Sequence, residues 1–427
     1  MKKIIDTVKG TRDFYPQDMA LRNWLYENIK SVSESFGYAE WDGPFLERLE
    51  LYAAKSGEEL VKEQSFVFTD RGGDEVALRP ELTPSLARMV ANRQRELIYP
   101  LRWWAFSPFW RYERPQKGRT REFFQWNIDV LGENNIETDT ELISVAILFL
   151  KRIGLNSDQV KIFVNNRRLM DEQLNKIGVT AGQKSSVFRL IDRRDKMRDE
   201  DWKKHAFDLG INEDVFDGIN ELLNNPMLFK ESEELVEMFS ILETLGLADY
   251  VSFDAKVIRG LDYYTGIVFE ARKADNSGRA ILGGGHYDNL VGDVGGEPLP
   301  GVGFAMGDVM IRVALEEFGL LPEFTLSPAE VLVTIFDENS VIRSKQLGQK
   351  LRDAGIKVVN VPTFSKLQKQ MKYANRYQIP LVCIEGPSEI ETGTVILKNL
   401  QSGEQQPVNR ERLIETILNF LAEQKAM

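Results

Sequence analysis

The chain has 427 residues but only one cysteine and two histidines. A single thiol closes no internal disulfide, and these residues fall short of the four Cys/His ligands of a structural zinc site, so redox and zinc chemistry are disfavoured. No apolar run approaches the ~18 residues that mark a membrane-spanning helix. The opening MKKIIDTVKG puts Asp6 and Lys9 where a signal peptide needs its apolar stretch, so a cytoplasmic location with no membrane partner is expected. The P-loop pattern GxxxxGK[ST] is missing, as is a GxGxxG between a strand and a helix, and GVGFAMG (301–307) is only a superficial match. ATP use, if present, is not of the P-loop type. Neither histidine has a nearby Ser or Cys in a nucleophile elbow, which disfavours a hydrolase triad.

Excess positive charge is lacking as well: 54 Lys+Arg face 65 Asp+Glu, a formal net charge of −11. Residues 328–427 carry 13 basic against 11 acidic residues (+2), leaving 41 against 54 (−13) in the first 327. With that total, contact with a nucleic acid needs local basic faces rather than the global field. Apolar residues at 43%, charged at 28% and aromatic at 10% are ordinary globular usage, which excludes collagen-like, coiled-coil and wholly disordered chains. At roughly 100 to 200 residues per domain, two or three domains are predicted.

The two prolines of FGLLPEFTLSP (318–328) read as a linker. Beyond it, VLVTIF (331–336), IKVVNVP (356–362), PLVCIEG (380–386) and TVILKNL (394–400) are short β-branched runs between amphipathic helical stretches, the pattern of a small α/β domain. Cys383 lies inside one of these runs, where core packing accounts for it better than catalysis does. Before the linker, segments 102–113, 122–132, 160–166 and 266–272 alternate bulky apolar with polar residues, as antiparallel strands do. The charged, Leu-rich stretch 170–250 reads as a helical insertion between them.

The densest chemical signal is RYERPQKGRTREFFQ (111–125), with Arg111, Glu113, Arg114, Lys117, Arg119 and Arg121 around a turn containing Pro115 and Gly118. Guanidinium forks at the end of a hairpin suit a polyphosphate, and Phe123 and Phe124 suit a stacked base. A solvated charged hairpin is the alternative. RGLDYYTGIVFEA (259–271) gathers Arg259, Asp262, Tyr263 and Tyr264 ahead of a strand, either a polar pocket with aromatic walls or a structural turn. GGGHYDNL (283–290) and GGEPLPGVGFAMGD (295–308) permit close backbone approach to a ligand, or simply tight turns. His286, after three glycines, is a candidate for the wall of such a site. Lys366, Lys369, Lys372 and Arg376 recur at helical spacing, opposite Leu367, Met371 and Ala374; that basic stripe suits a phosphate backbone or is a solvated face.

Taken together, these stretches resemble the histidyl-tRNA synthetase family of class II aminoacyl-tRNA synthetases. KGTRDFYP (9–16) resembles its N-terminal signature and the stretch ending in Gly43, Pro44 and Glu47 its dimer-forming motif 1. LRPELTPSLARM (78–89) resembles the histidine-contact loop, 109–132 motif 2, and RGLDYYTGIVFEA the histidine-specific signature. The resemblance implies an α+β catalytic domain over 1–325, with an antiparallel six-stranded sheet, helices and the insertion, followed by an α/β anticodon-binding domain over 328–427. It also implies ligation of L-histidine to histidine tRNA through a histidyl-adenylate, with ATP as substrate, Mg²⁺ as cofactor and a homodimeric assembly. Glu81, Thr83, Gln125 and Asp129 would surround the substrate ammonium, and Tyr263 and Tyr264 would bound the imidazole pocket. Arg111 and Arg259 would act at the α-phosphate and substrate carboxylate, Glu113 at the adenine side, Phe123 as the adenine stack, and Arg119 and Arg121 at the outer phosphates. One position departs from the pattern: in GFAMGDVMIRVAL (303–315), Met310 stands where much of the family has a γ-phosphate-binding arginine. Arg312, two residues on, is turned by about 200° on a helix and is no simple substitute. The competing reading is a non-catalytic, histidine-binding regulatory paralogue of a histidine-biosynthesis enzyme; such paralogues usually lack the C-terminal domain and the histidine signature.

Overall fold

The computed structural model describes residues 4–53, 64–116, 118–194, 197–258, 264–324 and 326–426. The chain forms two units, Met1–Phe14 with Leu21–Pro322, and Tyr15–Ala20 with Glu323–Met427.

The strands of the first unit are β1 (Ala39–Glu40), β2 (Leu46–Arg48), β3 (Phe66–Thr69), β4 (Glu75–Leu78), β5 (Leu101–Trp110), β6 (Glu122–Leu131), β7 (Val160–Asn166), β8 (Val251–Phe253), β9 (Ile267–Lys273), β10 (Leu282–Tyr287) and β11 (Gly301–Gly307). Eight of them make one sheet in the order β1-β5-β6-β11-β10-β9-β7-β8, while β2, β4 and β3 form a small separate sheet. The six central strands of the large sheet are antiparallel neighbours, and the short β1 and β8 add a parallel pairing at each edge. The sheet is thus wider than the six strands predicted. Two- and three-residue edge strands carry too little periodicity to be legible in sequence.

A side-chain period of two sorts this sheet into two faces with different tasks. On β6, Trp126, Ile128 and Val130 join the main core with Val302, Phe304 and Met306 of β11, Leu282 of β10 and Ile267, Phe269 and Ala271 of β9. Helix Ile136–Arg152 lies in this core, with Leu142, Ile143, Val145, Ala146, Ile147, Phe149 and Leu150 buried. Its start is sealed by Asn135, whose side chain accepts from the Thr138 N–H, and Lys151 and Arg152 close its last turn, opposing the helix dipole. Helix Pro16–Ser35 adds Leu25, Ile29 and Val32 at one-turn spacing; its first residue, proline, has its φ already near the helical value. The opposite face of the sheet carries Phe123, Gln125, Asn127 and Asp129 from β6 and, in register, Gly307, Ala305 and Gly303 from β11.

The strand β7 and its parallel partner β8 are joined by helices Arg167–Lys176, Lys184–Asp192, Asp199–Asp208, Glu213–Leu223 and Glu233–Thr244. Parallel neighbours need a crossover, and here the crossover is the helical segment itself. Its apolar faces, including Trp202, Phe216, Ile219 and Met238, are continuous with the main core. His205 is half-buried in the third of these helices.

In the second unit β12 (Val331–Val333), β13 (Val358–Asn360), β14 (Leu381–Ile384), β15 (Thr394–Asn399) and β16 (Gln405–Asn409) are ordered β13-β12-β14-β15-β16. The first three are parallel, the last two antiparallel. Val331, Val333 and Cys383 pack on one face with Leu347, Leu351, Leu413 and Ile417. Leu332 and Val382 pack on the other with Ala374 and Ile379. Burial on both faces is why these runs read as unbroken apolar stretches. Cys383 is a core residue, and burial pushes its thiol up to about 12.

Candidate active site

The non-core face of the large sheet, together with the loop 111–121 that joins β5 to β6, encloses a cavity of about 650 Å³. Arg111, Glu113, Gly118, Arg119, Thr120, Phe123 and Gln125 line it from the hairpin, Glu270, Arg272 and Arg279 from β9 and the following loop, and Gly307 and Met310 from the end of β11 and the helix after it. Lys256 and Asp192 add to its charged lining, which among the described residues has five cationic against three anionic side chains. In a chain of net charge −11, that local surplus marks a site for an anion.

Each hairpin residue is held by a specific contact. The Arg111 Nε–H donates to the Pro80 carbonyl at 2.9 Å, and its guanidinium lies 5.4 Å over the Phe123 ring. Phe123 stacks in turn on Phe109, centroids 5.8 Å apart at 29°, so the aromatic floor is rigid. Glu113 pairs with Arg119 at 3.0 Å. Arg121 turns elsewhere: its guanidinium sits 4.1 Å over Tyr112 and its Nε–H donates to the Glu113 carbonyl at 3.1 Å. Glu270 and Arg272 form a pair at 2.6 Å.

The N-terminal signature buttresses this hairpin. The Gly10 carbonyl accepts from the Arg121 N–H at 2.8 Å, and a Cβ at Gly10, where φ is +88°, would sit 2.8 Å from Arg121 Cγ. Arg12 pairs at 2.8 Å with Asp308, whose other oxygen accepts from the Phe124 N–H at 2.9 Å. Glu47 of β2 braces helix Thr83–Arg93 itself: buried, it accepts from the Ser85 hydroxyl at 2.9 Å and from Arg88 at 2.8 Å. Glu81 is buried just ahead of that helix, and Thr83 is its first residue.

Deeper on the same face lies a buried polar cluster. Tyr287 donates its hydroxyl to Asp129 at 2.8 Å, and burial lifts the Asp129 carboxyl to about 7 against the lowering effect of that hydrogen bond. Tyr264 packs beside Tyr287 with Val257 and Val268. The glycines of β10 and β11 make room for these side chains. A Cβ on Gly303 would overlap the Asp129 carboxylate; on Gly285 it would lie 2.8 Å from Tyr264 Cδ1; on Gly301, 2.7 Å from Tyr287 Cε2. Gly285, Gly301 and Gly303 are therefore strand residues whose missing side chains admit Tyr264, Tyr287 and Asp129, Gly295 and Gly296 lie in the connection between β10 and β11, and GVGFAMG is β11 itself. Gly307 differs, with open space where its Cβ would stand, and it lines the cavity.

His286 does not join this wall. The strand period sends it through the sheet, where its Nδ1 lies 2.9 Å from Asp139 and its Nε2 3.2 Å from Asp288. Burial alone would lower its pKa, but the bond and charge of Asp139 outweigh that and raise it.

Arg111, Glu113, Arg119, Phe123 and Gln125 thus come together in the cavity, with Asp129 and Tyr264 in the buried cluster. Arg121 and the Glu81–Thr83 corner stand outside the cavity lining. Arg259, Tyr263, Asp262 and Lys117 lie outside the described residues. Glu270 and Tyr287 fall inside the stretches 259–271 and 283–290 without having been picked out of them, and Arg272 and Arg279 carry no local sequence signal; Tyr287 stands 158 residues from its partner Asp129. Arg312 pairs with Glu316 at 2.9 Å on its own helix and does not line the cavity. In the second unit, Lys366, Lys369, Lys372 and Arg376 are exposed, as are Tyr373 and Tyr377, whose rings lie 4.6 Å apart. Ala374 is buried and Met371 packs beneath it, whereas Leu367, expected on the apolar side, is 37% exposed at the helix start.

Proteins of known family are similar to this chain. A family model described as histidyl-tRNA synthetase matches residues 10–309, and one described as anticodon binding domain matches residues 330–420. A chloroplastic/mitochondrial histidine–tRNA ligase of Arabidopsis thaliana is 40% identical over 415 residues, covering 95% of this chain and 85% of the relative. A histidine–tRNA ligase of Leptospira biflexa serovar Patoc is 37% identical over 420 residues, 95% of each. The crystal structure of a histidyl-tRNA synthetase from Nostoc sp. PCC 7120 superposes with a TM-score of 0.81 at 26% identity, covering 98% of this chain and 100% of that one.

Proposed function

From the premise that the chain belongs to the histidyl-tRNA synthetase family, we propose that it ligates L-histidine to histidine tRNA at the expense of ATP. A histidine carboxylate oxygen attacks the α-phosphorus, the bond to the bridging oxygen breaks, and pyrophosphate leaves with the electron pair. A ribose hydroxyl at the tRNA terminus then attacks the carbonyl of the adenylate, releasing AMP. What carries this reading is the cavity in which Arg111 lies over Phe123 beside Arg119. An aromatic floor with adjoining guanidinia fits a nucleotide whose base stacks while its phosphates are neutralised.

Arg111 contacts the α-phosphate and the attacking carboxylate, placing positive charge where negative charge develops. Phe123 stacks on adenine, Glu113 flanks it, and Arg119 takes an outer phosphate; Arg121 joins only by leaving Tyr112. Gln125 and Asp129, with Glu81 and Thr83, receive the substrate ammonium, whose three donors need oxygen acceptors. Tyr264 walls the imidazole pocket, and Arg259 and Tyr263 complete the roles assigned to the histidine signature. Mg²⁺ arrives on the phosphates of ATP. Glu113 and Glu270 are each engaged by an arginine.

The second unit holds the tRNA: Lys366, Lys369, Lys372 and Arg376 follow its backbone, and Tyr373 and Tyr377 offer stacking surfaces. The active form is a homodimer in the cytoplasm, and no helix of the described residues is long and apolar enough to cross a membrane. The C-terminal anticodon binding domain argues against the regulatory paralogue. Pyrophosphate exchange into ATP, run with histidine and with each other amino acid in the absence of tRNA, tests the assignment. Histidine-dependent exchange is expected, while histidine binding with no exchange would transfer the assignment to the paralogue.

A further inference from the structure

We infer that Arg279 is a ligand for the outer phosphates of the nucleotide, the cation that serves this chain beside the uncharged Met310; the inference rests on the ATP-dependent reading above. Arg279 stands in the loop between β9 and β10, accessible at the mouth of the same cavity that Arg119 lines. Its placement relative to Met310 is fixed by Gly118, the left-handed residue (φ +80°) of the arginine-rich loop. The point where a Cβ on Gly118 would stand is occupied by the Met310 sulfur and lies 3.6 Å from Arg279 Cδ and 3.7 Å from its Nη1. Met310 and Arg279 thus both flank Gly118 on the hairpin turn, the first presenting a thioether and the second a guanidinium.

Glu113 is already paired with Arg119 at 3.0 Å. Among the described residues no carboxylate lies within ion-pair distance of Arg279. Its charged form is disfavoured by burial and then by the nearby Arg119, with Glu113 offsetting only part of this. Two guanidinia facing one cavity and sharing the influence of Glu113 repel unless an anion enters, and an anion with several oxygens satisfies both forks at once. A substrate carboxylate carries too little charge to satisfy this pair together with Arg111, whereas the terminal phosphates of ATP carry enough. Since Arg312 is turned to Glu316, Arg279 is the cation placed to meet the phosphates at this turn.

The test compares ATP and AMP binding to the full-length protein by calorimetry, with exchange kinetics alongside. Because the side chain is accessible, Arg279→Ala is expected to fold normally. ATP affinity should fall about 10- to 100-fold, the loss expected for charge-assisted bonds to phosphate, with AMP affinity changed less than about twofold. The KM for ATP in exchange should rise by a similar factor with the KM for histidine unmoved, and adding Met310→Arg to Arg279→Ala should recover much of the loss. An Arg279→Ala protein that keeps its ATP affinity, or loses ATP and AMP equally, overturns the inference. Wild-type protein without histidine-dependent exchange would sink the ligase reading instead, and the ATP-against-AMP comparison would still decide on Arg279.

Discussion

Replacing Asp129 by Asn preserves the shape of a buried side chain and its acceptance of the Tyr287 hydroxyl, 2.8 Å away, while removing the charge. Stability and catalysis should then move in opposite directions. Burial lifts this carboxyl from 3.8 to about 7, so between those values the folded protein holds a proton that the unfolded chain has released. Stability therefore falls as pH rises through that window. At 1.36 kcal/mol per pH unit, ionisation of Asp129 weakens the ligand-free fold by about 4 kcal/mol once the pH is above 7. Asp129→Asn carries no such burden: its thermal midpoint should match wild type near pH 4 and exceed it by several degrees at pH 8, read by scanning calorimetry without ligands. Catalysis should suffer at that same pH, because under the proposed assignment the carboxylate is the charged acceptor for the substrate ammonium. A hydrogen bond to a charged partner contributes about 1.5–3 kcal/mol, which corresponds to a roughly 10- to 150-fold rise in the KM for histidine, with the KM for ATP little altered. A variant that melts below wild type at pH 8, or that keeps the wild-type KM for histidine, would refute the reasoning.

Gly303→Ala should act on the same cluster by force rather than by charge. The added methyl would overlap the Asp129 carboxylate and lie 2.9 Å from the Ile128 carbonyl, so urea unfolding should show a loss of about 1–3 kcal/mol. Gly307→Ala, with nothing near its Cβ position, should change stability by less than about 0.5 kcal/mol. Changing Lys369, Lys372 and Arg376 together to Ala should raise the KM for tRNA in charging assays and flatten its salt dependence, with pyrophosphate exchange unaffected. Unaltered tRNA binding in that variant would return the stripe to an ordinary solvated face.

Much of the arginine-rich hairpin was legible because its information is local. β5 and β6 are ten residues each, long enough for alternation to emerge, and the arginines cluster at the turn joining them. Four of the five C-terminal strands were legible from β-branched runs bounded by Gly, Pro and polar residues; β16, reading QQPVN, has no such run. The edge strands β1 and β8 were not, being two and three residues long. The glycine runs were ambiguous for a different reason: a missing Cβ admits either a ligand or a neighbouring side chain, and the choice lies with residues far away in sequence. Of the glycines compared, Gly285, Gly301 and Gly303 serve Tyr264, Tyr287 and Asp129, and Gly307 leaves open space. His286 was misplaced because three preceding glycines hide which face the strand period assigns to it.

Contiguous stretches of sequence carried the family, the arginine-rich hairpin, the α/β character of the last hundred residues and the departure at Met310. Only the tertiary structure shows that Tyr287 holds Asp129, that Arg121 stacks away from the cavity, and that Arg279 and Met310 both flank Gly118. Those pairings follow from strand order and register, and these are settled by the packing of the whole sheet against its helices rather than by any local run of residues.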